Sequence, residues 1–508
     1  MTHRLITADQ AKELDHISME DHGITGVDLM GNAGRAVADA AKNALAEIHE
    51  PRIIIVCGKG NNGGDGFSAA LHLTDYHVTI ISLIPENEIS GDALHFHEKC
   101  ISNGLHIHYN NDPNELGKCD LIIDAILGTG CLGPLKDNIK EWTQWINSKS
   151  SKVLSVDIST GVNGNNGSVS EHSVRSDTTV TFGYPKIGSL LKKGQDHSGT
   201  IESRDIGFAD CIDQIPGFHW SQFDSKTIST LLPSVQTDSH KHRQGKVLLI
   251  AGSRGMTGAA VLSTFGAFRS GAGLTITCAP RSLEDIYEKT IIEGMTLACE
   301  DGKTGHFTLE SYDKILEKRD WCDSVVIGPG IGRDPKTIEL LAKLYKEIDK
   351  PMVIDADGLR IFHEYPELIH EISVPIIITP HEGEFCDLIK VDKETLINEF
   401  PKIVEEFMID FPGVLILKNA PTITFHSDQA VLNCSGNTGM ATAGMGDVLA
   451  GILGTFLSQG VSIFDAAKSA VYLHGLAADR QVEVKGKRGL IASDLLDQIP
   501  IVLNEIDN

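Results

Sequence analysis

The spacing of hydrophobic and polar positions predicts a chain of alternating helices and strands. Near the N-terminus, Ala11, Leu14 and Ser18 recur at helical spacing, and Thr7 with Gln10 fits a capping box. A second helix is predicted over residues 27–45. Short, almost continuously apolar runs then follow, which is typical of parallel strands covered on both faces. In the first half of the chain, these predicted strands are 52–57, 77–84, 120–126 and 152–158.

The first predicted strand leads through the sequence GKGNNGGDG into a predicted helix over residues 67–73. The order of strand, glycine-rich loop and helix indicates a phosphate-binding unit of a doubly wound sheet. Gly58, Gly60 and Gly63 satisfy the pattern GxGxxG, which alone is a weak signal. The acidic residue expected about 20 positions later is unclear, because Glu86 is the nearest candidate.

The pattern begins again in the second half of the chain, after a crossover segment at residues 216–238 that contains a weak helical stretch. At 508 residues the chain is too long for one ordinary core. We therefore predict two three-layer α/β domains, over residues 1–225 and 226–508. The predicted strands of the second are 246–250, 274–278, 324–327, 351–354, 375–379 and 414–418, with a hairpin at 422–433 and helices ending near residue 269 and spanning 464–482 and 493–506.

Composition excludes several classes of function. The formal net charge of −25 argues against nucleic acid or an anionic membrane as a partner. Ten cysteines without a CxxC pair indicate reduced, buried thiols rather than a zinc knuckle or a disulfide framework. Because the N-terminus lacks an apolar targeting core and no apolar run approaches about 20 residues, we expect a cytoplasmic protein.

Residues 436–451, GNTGMATAGMGDVLAG, carry the clearest chemical signal, because a glycine-rich loop runs directly into an apolar helix. The free N–H groups and the dipole at a helix start favour a phosphate. Asp447 stands at the same turn, where its charge would repel that phosphate. Acceptance of a proton from a substrate hydroxyl gives the carboxylate a function. The alternative is that Asp447 only caps the helix, since aspartate is a favoured N-cap.

Polar residues also follow several predicted strands of the first half. Asn61, Asn62 and Asp65 follow the first strand, Asp124 and Asp157 close two others, and Lys186 follows a later one. Since ligands bind at the carboxyl ends of strands in open α/β sheets, these loops should meet in one crevice. Turn formation alone is the competing explanation for any single glycine loop.

The first half resembles the NAD(P)HX epimerase family, which interconverts the R and S forms of hydrated NADH and NADPH. The resemblance rests on LMGNAG, GKGNNGGDGF, DAILGTGCLGP and VDISTGVNG, and it spans about residues 1–215. It implies a Rossmann-like fold and a potassium ion near Asn62, Asp124 and Thr160, whose hard oxygen atoms suit an alkali cation. The implied substrate-binding residues are Asn61, Asn62, Gly63, Gly64, Asp65, Gly128, Thr129, Gly130, Cys131, Leu132, Gly133, Pro134 and Asp157.

We hypothesise that Asp157 exchanges protons at the hydrated ring. Two positions depart from the pattern of this family. Ser159 and Thr160 stand where it usually has proline and serine, and Gly31 stands where it usually has glutamate. Threonine can replace serine as an oxygen ligand. Gly31 would affect a helix or a partner contact.

The second half, from about residue 226, resembles the ADP- or ATP-dependent NAD(P)HX dehydratase family of the ribokinase-like superfamily. Its motifs occur in family order: HRQGKVLLIAGSRGMTGAA, GPGIG, DADGL, TPHEGE, LKNAPT and the loop at 436–451. The resemblance implies that Asp447 is the catalytic base and that Mg²⁺ accompanies the nucleotide. The implied contacts to the hydrated dinucleotide are Ala259, Gly330, Gly332, His381 and Asp447, and those to ADP or ATP are Lys418, Asn419, Ala420, Pro421, Thr422, Asn437, Gly444 and Gly446.

The loop before Asp447 departs from the family pattern at Ala443 and Met445, where a glycine and a threonine are usual. Backbone N–H groups survive both changes, so the anion site should persist. An epimerase domain placed before a dehydratase domain is typical of bacterial and archaeal members, which favours ADP over ATP. The same resemblance makes a homo-oligomer the expected assembly.

Two other functions stay open from the sequence. A ribokinase-superfamily kinase could phosphorylate a small alcohol, with the first domain regulating it. A non-catalytic dinucleotide-binding module is the other possibility. Asp157 and Asp447 argue against the module, since each adds charge repulsion that a passive anion binder would avoid.

Overall fold

The computed structural model describes residues 3–109, 112–130, 133–233, 241, 244–371 and 373–507. By its internal contacts the chain divides into two compact units, Arg4–Trp220 and Ser221–Asn508, the latter including the N-terminal His3. The domain boundary at residues 225 and 226 stays a prediction.

Among the described helices, none has the length and apolar character needed to cross a membrane. The cysteines in the described part of the chain are free thiols, and all but Cys119 and Cys434 are buried.

The first unit is built on a parallel sheet of seven strands, as seen in its described residues. Their order is β4-β3-β2-β5-β6-β7-β8, so that the direction of winding reverses between β2 and β5. Two further short strands, β1 and β9, lie where the boundary between the units falls. The strands are β1 (His3–Leu5), β2 (Arg52–Cys57), β3 (His77–Ser82), β4 (Ile107–Tyr109), β5 (Leu121–Ala125), β6 (Lys152–Val156), β7 (Thr178–Phe182), β8 (Thr200–Arg204) and β9 (His219–Gln222).

Helices cover both faces of this sheet. Ile53 and Ile55 of β2 pack into one apolar cluster with the helices at residues 26–45, 61–71 and 92–102, whereas Ile54 and Val56 pack on the other face with Trp142. This double burial explains the continuous apolar runs. The helices are α1 (Ala8–Glu20), α2 (Gly26–Leu45), α3 (Asn61–Leu71), α4 (Asp92–Ser102), α5 (Asp137–Asn147) and α6 (Lys192–Ser198).

The capping box at the start of α1 is confirmed, because Thr7 Oγ1 accepts from Gln10 N and the Gln10 side chain accepts from Thr7 N, each at 3.0 Å. The predicted start of the third helix is wrong, since α3 begins at Asn61 rather than at residue 67. Residues 61–66 of the predicted loop therefore form the first turns of the helix. Packing of these turns overrides the low helix propensity of asparagine and glycine.

The second unit contains a larger sheet, which is mostly parallel. Within this unit the order is β18-β17-β16-β15-β14-β13-β10-β11-β12, and β16, β17 and β18 are antiparallel, as the predicted hairpin requires. The edge strand β12 is not predicted by the sequence pattern. The strands are β10 (Lys246–Ile250), β11 (Leu274–Pro280), β12 (Met295–Cys299), β13 (Ser324–Ile327), β14 (Met352–Ile354), β15 (Ile376–Ile378), β16 (Val414–Leu417), β17 (Ile423–His426) and β18 (Gln429–Leu432).

Helices lie on both faces of this sheet as well, and the prediction of two three-layer α/β units is confirmed. A large apolar cluster joins one face of the central strands to α8, α16, α17 and α18. The helices are α7 (Ile228–Leu231), α8 (Thr257–Arg269), α9 (Glu284–Thr290), α10 (Tyr312–Leu316), α11 (Pro335–Glu347), α12 (Arg360–Glu364), α13 (Glu382–Ile389), α14 (Lys393–Glu399), α15 (Lys402–Asp410), α16 (Met445–Ser458), α17 (Ile463–Lys485) and α18 (Ala492–Asp507).

Helices α8 and α16 approach closely because glycines lie at their contact. A Cβ added at Gly451 would lie 2.1 Å from Ser263 O, and one at Gly266 would lie 2.5 Å from Val448 O. The hydroxyl of Ser263 also donates to the backbone oxygen of Asp447, at 2.9 Å. This contact fixes the start of α16 against its neighbour.

We predict that Gly451→Ala destabilises the second unit, since the new methyl group would force apart two backbones that are already in contact. Overpacking of this kind costs about 1–3 kcal/mol, which lowers the unfolding temperature by about 2–12 °C for a unit of this size. Differential scanning calorimetry measures the shift. Gly258→Ala on α8 is the matched control, because a Cβ there meets nothing within 4 Å and alanine is the better helix former. An unchanged transition for Gly451→Ala would contradict the packing argument.

Candidate functional site

The first unit holds a cavity of about 410 Å³ at the carboxyl edge of its sheet. The cavity lies at the reversal point between β2 and β5, where doubly wound sheets bind their ligands. Its walls come from the loops after β2, β5 and β6 and from the two N-terminal helices. The residues that line it include Asn61, Asn62, Asp65, Gly128, Thr129, Gly130, Asp157, Lys186 and Asp15.

The glycines at the start of α3 permit close packing rather than lining this cavity. A Cβ at Gly63 would lie 2.1 Å from Gly58 O, and one at Gly64 would lie 2.5 Å from Met30 Sδ. They hold the helix start against β2 and α2. Asn62 and Asp65, each 8% exposed, are thereby placed at the cavity wall.

Two side chains at this wall have unusual surroundings. Asn62 Nδ2 is buried and has no hydrogen-bond partner within the described part of the chain. Burial raises the pKa of the Asp65 carboxyl well above its usual range, and the charges of Asp157 and Asp15 raise it further, against a smaller opposing effect of Lys186. A buried amide donor and a carboxyl that keeps its proton to higher pH than usual are groups that can bind polar atoms of a ligand.

Asp157 is held in a left-handed backbone conformation, with φ of +64°. Its Oδ1 atom accepts from Lys186 Nζ at 2.5 Å, from Phe182 N at 3.2 Å and from Thr181 Oγ1 at 3.3 Å. No described group donates to Oδ2. Strained backbone conformations cluster at functional sites. The Asp157 carboxyl also has one oxygen that is held and one that is free, and both features support a chemical role for it.

Asp124 is fully buried, and hydrogen bonds compensate for its burial. Its two oxygens accept from Thr160 Oγ1 at 2.7 Å, from Thr160 N at 2.9 Å and from Ser155 Oγ at 2.7 Å. Burial raises the pKa of Asp124, whereas these hydrogen bonds act in the opposite direction. The carboxyl therefore ties the loop after β6 to the end of β5.

The residues that the resemblance assigns to potassium lie next to one another. Thr160 Oγ1 accepts from Leu127 N at 3.0 Å, and Asn62 Oδ1 lies 2.9 Å from the position of a Cβ at Gly128. Their donor atoms are carboxylate, amide and hydroxyl oxygens, which fit a hard monovalent cation. No cluster of three or more His, Cys, Asp or Glu suited to a metal occurs among the residues that the structure describes.

Other residues predicted for this unit lie elsewhere. Gly133 and Pro134 line a second, smaller concavity together with Asn163. Cys131 and Leu132 lie outside the described residues. Ser159 is buried and donates to His197 O at 2.9 Å. A Cβ at Gly31 would contact the ring of Phe96 at 3.5 Å, so this departure lies against α4.

In the second unit, the loops after β10, β13, β14, β15 and β16 come together at the carboxyl edge of the parallel sheet. A Cβ at Gly330 would lie 2.6 Å from the Cβ of Ala259 on α8, and one at Gly332 would lie 3.2 Å from Ser253 Oγ. His381 and Lys418 form a parallel bridge between the loops that follow β15 and β16. The predicted dinucleotide contacts therefore sit on adjacent loops of one sheet edge.

Lys418 is the central cation of this edge. Its Nζ lies 2.7 Å from Asp355 Oδ1 and 3.9 Å from Glu384 Oε2. Thr379 Oγ1 donates to the same Asp355 oxygen at 2.5 Å. Burial by itself lowers the pKa of Lys418, but the Asp355 and Glu384 charges outweigh it and raise the pKa above its usual value.

Asp447 lies in the first turn of α16, which starts after Gly444 at φ of +90°. A Cβ at Gly446 would lie 3.3 Å from Lys418 Nζ and 3.5 Å from Asp355 Oδ2, so the turn faces this ion pair. No ion pair of Asp447 itself lies within 4.0 Å among the described groups. Burial raises the pKa of Asp447 to about 7, and the charge of Asp355 contributes, while Lys418 opposes both. This carboxyl can therefore gain and lose a proton near neutral pH.

The remaining residues predicted to bind the nucleotide lie in the loop after β16 and in the segment before α16. Asn419 Nδ2 donates to Glu382 Oε1 at 2.7 Å, and Asn437 Nδ2 donates to Asp479 Oδ1 at 2.8 Å. Ala420 is exposed, whereas Pro421 and Thr422 are half-buried. Of the two departures, the Met445 side chain packs into the apolar core and Ala443 is exposed. Both leave the N–H groups of the first turn in place.

Two acidic residues of these sites have no role in the sequence-based prediction. Asp355 stands within the quoted DADGL motif, but the motif alone does not indicate its ion pair with Lys418. Asp15 belongs to no motif. The position of Asp15 on its helix could have identified it. Ala11, Leu14, Asp15 and Ser18 share one helical face, so that a carboxylate takes the place of an apolar residue on the inward side.

Comparisons with known proteins give matches to both units. The family model described as NAD(P)H-hydrate dehydratase matches residues 247–501, and that described as YjeF-related protein N-terminus matches residues 26–188. The bifunctional NAD(P)H-hydrate repair enzyme Nnr of Moorella thermoacetica is 32% identical, over 99% of this chain and 97% of its own. The enzyme of the same name from Methanothermobacter thermautotrophicus is 33% identical, over 96% and 93%. A hypothetic protein from Streptococcus mutans, 22% identical, shares the fold with a TM-score of 0.50, over 56% of this chain and all of that one.

We predict that Asp355→Asn lowers the pKa of Asp447, because the variant removes a neighbouring negative charge and frees Lys418 to attract Asp447. The pKa is measured by ¹³C NMR on protein with labelled aspartate carboxyl groups, with the resonance assigned from the Asp447→Asn spectrum. Asp357→Asn is the matched control, since Asp357 pairs with Arg333 at 2.9 Å. A pKa that stays unchanged or rises in Asp355→Asn would contradict the electrostatic account.

Proposed function

The chain belongs to the family of bifunctional NAD(P)H-hydrate repair enzymes, and we propose how the repair is divided between its two units. The first unit interconverts the R and S epimers of hydrated NADH and NADPH. The second unit dehydrates the S epimer back to NAD(P)H at the expense of ADP or ATP. The observation that carries the second assignment is the Asp447 carboxyl, with a pKa of about 7, at a helix start beside Lys418.

Dehydration needs an activated hydroxyl, because hydroxide is a poor leaving group. Asp447 accepts the hydroxyl proton as the oxygen forms a bond to the transferred phosphorus, and the bond from phosphorus to the nucleotide breaks. The N–H groups of residues 443–447 stabilise the negative charge of the phosphoryl group. Phosphate then leaves with the electrons of its C–O bond, and the neighbouring carbon gives its proton to solvent water. The ring double bond is restored.

The nucleotide lies along the loop after β16 and the start of α16 in this proposal. Lys418 supplies a positive charge for its phosphates, and Asp355 with Thr379 fixes the direction of that lysine. Contacts from Asn419, Ala420, Pro421, Thr422, Asn437, Gly444 and Gly446 complete the site. Mg²⁺ enters as part of the nucleotide substrate, and ADP is the preferred form.

The hydrated dinucleotide approaches Asp447 from the first turn of α8, which carries Ala259, and from the loops that carry Gly330, Gly332 and His381. Gly330 packs against Ala259, which leaves a surface that a flat ring can approach closely. His381 Nδ1 accepts from Glu384 N at 3.1 Å, so the ring orientation of this exposed histidine is already fixed by its helix. Its Nε2 atom lies 3.6 Å from Glu384 Oε1 and is the ring atom that contacts substrate in this proposal.

Epimerisation takes place in the cavity of the first unit, with Asp157 as a group that exchanges a proton with the hydrated ring. The free Oδ2 atom of Asp157 supports this role, since Lys186 occupies Oδ1. Asn62, Asp124 and Thr160 would hold a potassium ion, which supplies a fixed positive charge for binding an anionic substrate. Supplying the epimer that the second unit consumes lets the whole damaged pool be repaired.

A reciprocal pair of variants tests the division. The protein is given a mixture of R and S hydrated NADH with ADP or ATP, and NADH absorbance and epimer composition are followed. We expect Asp447→Asn to lower the rate of dehydration at least 100-fold, because the hydroxyl proton loses its acceptor, and to leave epimerisation intact. We expect Asp157→Asn to lose epimerisation and to keep dehydration of the S epimer.

Each alternative function has its own outcome in this assay. A phosphorylated product without NADH would identify a small-molecule kinase, and tight binding without turnover would identify a binding module. Dehydration at the wild-type rate by Asp447→Asn would refute the role of this residue. Epimerisation at the wild-type rate by Asp157→Asn would do the same for the first unit.

A further inference from the structure

Asp15 of α1 is a cavity-lining carboxyl that the proposed function leaves without a role. It projects from the inward face of the helix into the same cavity as Asp157 and Lys186. Within the described part of the chain, its carboxyl makes no hydrogen bond and no ion pair. A half-buried carboxyl without a partner on an otherwise apolar face has no stabilising function.

The chemistry of epimerisation requires two proton-transferring groups. Hydration of a dihydronicotinamide places the hydroxyl on the carbon beside the ring nitrogen. The configuration inverts if that hydroxyl leaves as water from one face and water adds to the other. One group must donate a proton to the departing oxygen, and another must take a proton from the arriving water.

We propose that Asp15 is the second proton-transferring group of the epimerase, working opposite Asp157. Protonated Asp15 donates to the hydroxyl oxygen, the C–O bond breaks, water leaves, and the nitrogen lone pair forms a C=N bond. A water molecule then adds to the other face, forming the new C–O bond, and gives its proton to Asp157. Asp15 ends ionised and Asp157 protonated, which is the state that the reverse conversion needs. The inference rests on the epimerase function proposed for this unit.

The charges around Asp15 suit this exchange. The titratable groups of the cavity wall are Lys12 and Asp15 on α1, Asp65 on α3, Asp92 on α4, Asp157 after β6, and Lys186. Burial raises the pKa of Asp15 to about 6, the Asp157 charge adds to the increase, and Lys186 opposes it. Lys186 interacts with three of these carboxyls, those of Asp15, Asp65 and Asp157. Asp15 can therefore take up and release a proton near pH 6.

Asp65 is the competing candidate, and its surroundings distinguish it from Asp15. It is 8% exposed on α3, and its pKa lies well above the usual range, chiefly because of burial. Burial opposes ionisation of Asp65, which suits this carboxyl to donating a hydrogen bond to substrate rather than to exchanging a proton in both directions. Asp15 is half-buried and can change its protonation state in place.

The test compares Asp15→Asn, Asp15→Glu and Glu20→Gln in the full chain. Glu20 is an exposed acid on the same helix, so its substitution changes the charge by the same amount away from the cavity. Epimerisation is followed from pure R hydrated NADH, after subtraction of the uncatalysed rate, between pH 5 and 8. Dehydration of the S epimer in the same samples reports whether the chain is folded. We expect Asp15→Asn to lower kcat about 100-fold or more, Asp15→Glu to recover part of it, and Glu20→Gln to behave as wild type.

Two further readouts separate a chemical role from a structural one. The rate of wild-type epimerisation should fall as the pH rises through an apparent pKa near 6, because Asp15 must be protonated to donate. Asp15→Asn should lose this pH dependence. Each wild-type turnover in H₂¹⁸O should place ¹⁸O in the substrate hydroxyl. Wild-type rates in Asp15→Asn, or loss of the pH dependence in Asp65→Asn alone, would overturn the inference. Absence of epimerisation in the wild-type protein would instead refute the proposed function itself.

Discussion

Each unit of this chain places more partly or fully buried carboxyls than cations at the carboxyl edge of its sheet. In the first unit, Asp15, Asp65 and Asp157 share Lys186, and in the second, Asp355 and Asp447 share Lys418. One carboxylate of each group forms a close ion pair with the lysine. The others lose hydration and feel the negative charge of that carboxylate, so their protons are retained to higher pH. This imbalance of charge is what makes a proton available for chemistry near neutrality.

The fold makes the imbalance sustainable. Parallel strands buried on both faces end together at one edge, and the loops that follow them carry the polar groups. Glycines let the first turn of α3 approach β2 and let α16 approach α8. These contacts fix the backbone positions of Asp65 and Asp447. Because the backbone holds these positions, a buried carboxyl cannot move towards solvent to regain hydration. The cost of its burial is met by the packing of the surrounding layers.

Much of this architecture follows from the sequence, since continuous apolar runs and glycine loops have a direct physical meaning. The capping box at Thr7, the strands at residues 246–250 and 324–327 and the hairpin after β16 are all found in the structure. The sequence pattern places the start of α3 too late, because its asparagines and glycines have low helix propensity, which tertiary packing overrides. The edge strand β8 escapes prediction because its exposed, polar residues form no apolar run.

The candidate sites were only partly predictable for a different reason. Motifs identify the loops that carry Asn62, Asp157 and Asp447, but they do not indicate which charges face each other across the fold. The pairing of Asp355 with Lys418 joins residues 63 positions apart, and Asp15 comes from a helix that carries no motif. Both depend on how the loops come together. Local sequence cannot supply such long-range electrostatics.

The central claim is that Asp447 takes up the hydroxyl proton while the phosphoryl group is transferred. The most direct measurement is the pH dependence of kcat/KM for dehydration of S hydrated NADH, which reports ionisation in the free enzyme. A base must be ionised to act, and burial raises the pKa of Asp447 to about 7. The account therefore predicts a rate that falls as the pH decreases through about 7. A rate that stays constant from pH 5 to 8 would contradict it.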